Sequence, residues 1–297
     1  MAAVVAALIA GFVAGRLAWV LLRPTLGQPL FARTNVRGIS VPTACGLVLP
    51  LAVAVVEGGR TLFGAAGFGR AAGGTAVRLA VVIVAFGMGL VGLLDDLAGD
   101  ATTSRGDRGF RGHLRALRTG RMTTGAAKVV VGAAVALVAV VTVRPHAYQH
   151  SLGRLLLDAA LVALTANLVN LLDRAPGRAG KAGVFGFLVL LIAAAAGSTL
   201  SSLSGVAVVV GATVALLPDD LKERAMLGDT GANVLGGVLG LGFVAAGTPF
   251  TRTAVLVVVA LLNVISELVS FSRVIEAVPP LRRLDEAGRL RGPRRAA

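Results

Sequence analysis

Two adjacent carboxylates, Asp95 and Asp96, close the segment 92–96, GLLDD, directly after a long, nearly unbroken apolar run. Charges at the edge of a bilayer are costly, two side by side repel, and acids at a helix C-terminus oppose the helix dipole, so a positive partner is expected. Two hard oxygen ligands beside a phosphorylated substrate suit Mg²⁺, which keeps several waters and is usually held by one or two carboxylates plus substrate phosphates. Asp229 stands in MLGDTGANVLGGVLG between Gly228 and Gly231, at the expected start of a helix, where free amides and the dipole favour an anion or a metal-bridged phosphate. Gly236 and Gly240 in the same stretch form a small-xxx-small pair, explained by close helix packing.

Further polar residues accompany these acids. In TANLVNLLDRAPGRAGKAG, Asn167, Asn170 and Asp173 fall at i, i+3 and i+6, so neighbours in the set share a helix face. With Arg174, Arg178 and Lys181 following, they read as a polar wall around a phosphorylated ligand. Lys128 at the mouth of an apolar run can meet an anionic headgroup or the acids, or simply snorkel. NVRGISVPTACG places Arg37 and Thr43 at the edge of another apolar run, with Pro42 expected in a first helical turn. His113 lies in a basic loop between residues 100 and 125; a lone histidine is weak evidence of a role.

The elements that position these groups follow from composition. Of 297 residues, 56% are hydrophobic, and mean hydropathy is +0.83. No polar stretch is long enough for a separate soluble core, which predicts an all-α polytopic helix bundle. Nine spans are expected, near 2–22, 41–56, 77–94, 126–143, 155–172, 184–197, 205–217, 232–246 and 254–271, the sixth and seventh being short. Residues 1–272 then form one transmembrane domain and 273–297 a basic cytoplasmic tail. With the N-terminus outside, the inside segments carry 22 Lys and Arg against six outside, as the positive-inside rule requires. The four acids Asp95, Asp96, Asp173 and Asp229 then share the cytoplasmic leaflet of the cell membrane. Net charge is +14; with few aromatics and no nucleic-acid motif it reads as topology and attraction to anionic lipid, not nucleic-acid binding. The single Cys45 excludes an internal disulfide.

Taken in order, the motifs resemble those of the polyprenyl-phosphate N-acetylhexosamine-1-phosphate transferases, the group that includes phospho-N-acetylmuramoyl-pentapeptide transferase. NVRGISVPTACG is similar to the family's N-x-R-G-x-x-x-P-T-x-G-G segment, with Cys45 in place of a glycine. GLLDD matches the twin-aspartate segment, NLVNLLD the Asn-x-x-Asn-Leu-x-Asp segment, and MLGDTGAN the Met-Gly-Asp segment.

The resemblance implies transfer of a sugar 1-phosphate from a UDP-amino sugar to a polyprenyl (undecaprenyl) phosphate, with release of UMP and with Mg²⁺ as cofactor, in cell-envelope polymer synthesis. It assigns Asp95, Asp96 and Asp173 to catalysis, Asp229 and Asp95 to the metal, and Arg37, Thr43, Lys128, Asn167 and Asn170 to the substrates. A homodimer is compatible with it. Two departures bear on the donor's contacts: Pro176 stands near the place of a second acid, and no histidine follows His150. Two readings therefore stand, an active transferase and a catalytically silent relative that binds a lipid-linked sugar or an envelope-synthesis partner. A secondary transporter would place its acids near the midplane.

Overall fold

The computed structural model describes residues 1–35, 37–68, 75–98 and 124–290. Long apolar segments become helices because lipid offers the backbone no hydrogen-bond partner, and a helix satisfies its own. The elements in order are α1 (Ala2–Leu26), β1 (Ala32–Thr34), β2 (Ser40–Pro42), α2 (Val48–Ala65), α3 (Thr75–Ala98), α4 (Thr124–Val143), α5 (Leu152–Leu172), α6 (Arg178–Ala196), α7 (Ser204–Leu221), α8 (Gly228–Ala246), α9 (Pro249–Leu268), α10 (Phe271–Ala277) and α11 (Pro279–Glu286). Among the described residues eight helices are long and apolar enough to cross a membrane, and α4 is apolar from Lys128 to Val143. All nine expected spans are thus helical, in an all-α multi-pass membrane bundle.

Several span boundaries differ, and the ninth helix, expected at 254–271, runs from Pro249 to Leu268. The run expected at 41–56 begins instead as a two-stranded antiparallel hairpin, with Arg33 paired to Val41 and Ala32 to Pro42. Pro42 ends β2 rather than opening a helix, and α2 starts only at Val48. The two short spans are full-length helices of 19 and 18 residues, because charges that appeared to end them are paired inside the protein. Arg178 meets Asp285, and Asp219 meets Arg16 at 2.6 Å.

The core is organised around α8, which is buried along 89% of its most apolar window. It packs against α3 on one side and α5 on the other. Attraction between helices in lipid comes from packing and hydrogen bonds rather than from water exclusion, so small residues at the contact matter. A Cβ on Gly236 would lie 2.4 Å from Thr165 O, and one on Gly240 would lie 2.8 Å from Val162 Cα. The glycine pair therefore sets how closely α5 approaches. By contrast α9 is 11% buried and covers the outside of α5.

Residues 271–290 turn back onto the bundle. Asp285 takes Arg178 in a two-pronged ion pair at 2.8 and 3.0 Å, and Lys181 donates to the carbonyls of Leu284, Asp285 and Ala287 at 2.6 to 3.0 Å. Arg289 donates to Pro176 O at 2.7 Å.

Candidate active site

One end of the bundle collects the acids because four helix termini meet there. α3 supplies Asp95 and Asp96 near its end, α4 supplies Lys128 near its start, and α5 supplies Asn170 in its last turn and Asp173 as its C-cap. α8 opens at the same level with Gly228 and Asp229. The turn before α2 is docked on this opening by three main-chain bonds: Met226 N–H to Pro42 O at 2.9 Å, Cys45 N–H to Met226 O at 3.1 Å, and Gly46 N–H to Leu227 O at 2.9 Å.

The centre of the arrangement is Lys128. Its ammonium bonds to Asp229 Oδ2 and lies 3.5 Å from Asp95 Oδ2. Asn170, with its amide nitrogen towards the carboxylate, donates to Asp229 Oδ1 at 2.8 Å and accepts from Lys128 at 2.9 Å. Asp95 and Asp229 keep 27% and 28% of their side chains exposed, so both are reachable by a ligand.

Asp96 is used differently. Its Oδ1 accepts from the Asp229 amide at 3.0 Å and faces the Thr43 hydroxyl at 3.4 Å. Its Oδ2 accepts from the Thr230 amide at 2.9 Å and the Thr230 hydroxyl at 2.6 Å. Both oxygens thus cap the first turn of α8, where the dipole and open amides favour an anion. Gly228 permits this approach: its φ is +71°, and a Cβ there would stand 2.7 Å from Asp96 Oδ2. Arg33 in turn donates to the carbonyls of Asp96 and Leu97 at 2.7 and 3.3 Å, capping the end of α3.

Asp173 stands beside the Gly228 amide, with Asp96, Asp220 and Asp229 as its charged neighbours. Desolvation, reinforced by Asp220, Asp229 and Asp96, pushes its carboxyl well above the usual carboxylate range; the nearby Gly228 amide works against this. Asp173 lines a cavity of about 130 Å³ together with Asn35, Arg174, Pro176, Asp220 and Glu223.

Asp95, Asp96, Asp173, Asp229, Lys128, Asn170 and Thr43 are therefore brought together. Two further candidates are not. Asn167 donates to Asn263 Oδ1 at 2.7 Å on the α9 side, because each step of three residues falls 60° short of a full turn. Arg37 is held by Glu223 at 2.7 Å and donates to Leu290 O. Arg178 and Lys181 face the C-terminal segment rather than a ligand wall. His113 and the arginines from Arg105 to Arg121 lie outside the described residues.

Sequence reasoning passed over Thr230, Asn233, Arg33, Asp220 and Glu223. Asn233 fixes the start of α8 by donating to Asp229 O at 2.7 Å. Its spacing of four from Asp229 was a readable signal. Nothing in the sequence alone tied Asp220 or Glu223 to the cavity.

The pair Asp95 and Asp229 already converges on a cation, and two carboxylates open to water and a substrate phosphate form a donor set that fits Mg²⁺. Among the described residues no group of three or more His, Cys, Asp or Glu could hold a metal ion, so protein ligands alone would not complete the shell. A family model described as glycosyl transferase family 4 matches residues 78–247. No curated protein matches the chain.

Proposed function

The chain belongs to glycosyl transferase family 4, and from that premise we propose that it moves a sugar 1-phosphate from a UDP-amino sugar to a polyprenyl phosphate, in cell-envelope polymer synthesis. The observation that carries this reading is the convergence of Asp95, Asp229 and Asn170 on Lys128 at one edge of the bundle. An oxygen of the lipid phosphate forms a bond to the β-phosphorus of the donor. The bond from that phosphorus to the bridging oxygen breaks, and UMP leaves with the electron pair.

Asp95 and Asp229 would hold Mg²⁺, which when bound lowers the repulsion between two anions and stabilises charge on the leaving phosphate. Lys128 adds a positive charge that can turn from the carboxylates to a phosphate oxygen. Asn170 fixes the Asp229 carboxylate, and Asp96 with Thr43 fixes the helix turn that carries it. The neighbouring cavity is lined by Asp173, Asp220, Glu223 and Asn35 together with Arg174, a lining richer in acceptors than in cations, which favours groups that donate hydrogen bonds. The hydroxyl- and amide-bearing parts of the donor belong there. Leu90 and Leu94, 59% and 56% exposed on α3 just before Asp95, offer an apolar path for the polyprenyl chain.

The positive-inside pattern supports a cytoplasmic orientation of this end in the cell membrane. The silent-relative reading draws on one observation: Arg178 and Lys181, cations beside the cavity wall, are occupied by the C-terminal segment.

The test is UMP release by purified protein in detergent with Mg²⁺, undecaprenyl phosphate and a panel of UDP-amino sugars, with Asp95→Asn as the blank. Lipid-dependent release with one donor, absent from the blank, is expected. Protein that retains the lipid but releases no UMP from any donor would move the assignment to the silent relative.

A further inference from the structure

The opposite end of the bundle holds a second charged cluster that the transfer reaction does not use. Asp229 and Val244 lie at the two ends of α8, about 22 Å apart at 1.5 Å per residue, so this cluster is remote from Lys128. Asp158, 2% exposed on α5, accepts a hydrogen bond from Tyr148 at 2.8 Å and pairs with Arg252, itself 6% exposed on α9. Arg154 approaches the same carboxylate at 3.9 Å. Arg144 is accounted for, since it donates to Val244 O and Ala245 O at 3.0 and 3.2 Å and so caps the C-terminus of α8.

Arg154 and Arg252 are not accounted for by Asp158. Each stands in the first turn of its helix, where the dipole is positive and a second positive charge is disfavoured. Neither helix has an acid in its first turn. One carboxylate faces both guanidiniums, leaving a surplus positive charge beside two positive helix ends. Arg252 Nε and Arg154 Nη2 are also shielded from solvent and have no hydrogen-bond partner. Arg154 keeps 29% of its side chain exposed, so one guanidinium of the pair is open to an incoming anion, which would offset the surplus charge.

We propose that Arg154 and Arg252, held in place by Asp158 and Tyr148, form a phosphate-binding site for the headgroup of an anionic membrane lipid. Guanidinium forks suit phosphate oxygens, and the site lies at helix ends, where headgroups lie. The same two helices expose Leu152, Leu156, Phe250 and Val257, between 50% and 82% accessible, to the acyl chains.

The experiment uses the full-length protein, delipidated in detergent, and reads lipid retention by native mass spectrometry and thermal melting. Phosphatidylglycerol, phosphatidylcholine and inorganic phosphate are added separately. Phosphatidylglycerol should raise the melting temperature and stay bound, phosphatidylcholine should not, and Arg154→Gln should weaken the anionic lipid about tenfold, the loss of one charge-assisted contact. Arg154 is partly exposed and its replacement is tolerable for folding. Arg60→Gln, at the same end but paired to Glu57, serves as the control and should leave binding unchanged. If phosphate alone stabilises the wild type and Arg154→Gln removes that effect, the site stands and its phosphate is soluble. Equal retention of the two lipids by the wild type, or equal loss in both variants, would overturn the site.

Discussion

The two ends of the bundle treat charge in opposite ways. At the acid end, Asp96, Asp173 and Asp220 all stand where their own helices finish, against the local dipole. Each nevertheless sits at the opening of a neighbouring helix: Asp96 accepts from the amides of Asp229 and Thr230, while Asp173 stands near the Gly228 amide and Asp220 near that of Gly177. Antiparallel neighbours turn an unfavourable position into a favourable one. At the basic end Arg144 follows the same logic, but Arg154 and Arg252 stand at helix openings with no such reward. The comparison sorts the charges into those that hold helices in place and those held in place for something else. Asp95 and Asp229, meeting on Lys128, belong to the second kind.

The sharpest way to break this sorting is to neutralise one acid of each kind. Asp229→Asn should reduce UMP release by about a thousandfold or more, the scale of losing a charge at the reacting phosphate. Its metal dependence should vanish while membrane insertion and melting temperature stay near wild type. Full turnover in that variant would sink the assignment. Asp96→Ala should instead unfold the corner, since it leaves two amides and the Thr230 hydroxyl unpaired. About 3 kcal/mol of stability should go, read by thermal or denaturant melting, and Asp96→Asn should restore part of it because a carboxamide oxygen still accepts. If Asp95→Ala destabilised as much as Asp96→Ala, the division between the twin aspartates would be wrong.

That division marks the limit of what the sequence discloses. Nine apolar runs were legible as helices because lipid enforces intrahelical bonding wherever the chain is apolar for long enough. The ends of α6 and α7 were not, because hydropathy counts Arg178 and Asp219 as costs and cannot see Asp285 or Arg16 across the fold. The hairpin was hidden for the same reason: Val41 is apolar, yet its place beside Arg33 is set by strand pairing. Among the candidate residues, spacing placed Asn170 and Asp173 correctly at one helix end, but the 60° drift per step carried Asn167 to another face. Asp95 and Asp96 looked alike in sequence, and only the position of α8 tells them apart.

Two carboxyls at the acid end, both outside the membrane-spanning helices, should respond to pH with opposite signs. Burial works to raise Asp285, but its bonds to Arg178 and the charge of Arg289 outweigh it and hold the carboxyl below the usual range. Its stabilisation is present above its unfolded value, near pH 4, and is lost as pH falls through the lower folded value. Hydrogen exchange across residues 271–290 should therefore rise under acid, and at pH 7 Asp285→Asn should cost about 2 kcal/mol. Asp173 is raised, chiefly by desolvation, so its contribution is full below about pH 4 and is lost as pH rises through the folded value. Asp173→Asn should melt higher than wild type at pH 7 and converge with it under acid. A lower melting point at pH 7 would contradict the assigned direction.

The smallest effect is expected at the basic end, and it tests whether helix-end accounting holds there too. Arg144→Gln removes a cation from the C-terminus of α8 but leaves an amide that can still donate to Val244 O or Ala245 O. The loss should be about 0.5–1 kcal/mol, the usual value of a charge at a helix end, and added salt should shrink it. Arg252→Gln should behave otherwise. In delipidated protein it relieves a like-charge conflict with the start of α9 while weakening the grip on Asp158, so the two terms oppose. In anionic lipid the same change also removes a ligand contact. A melting difference between Arg252→Gln and wild type that grows on adding phosphatidylglycerol, with none for Arg144→Gln, would separate the arginine that caps a helix from the one that awaits a phosphate.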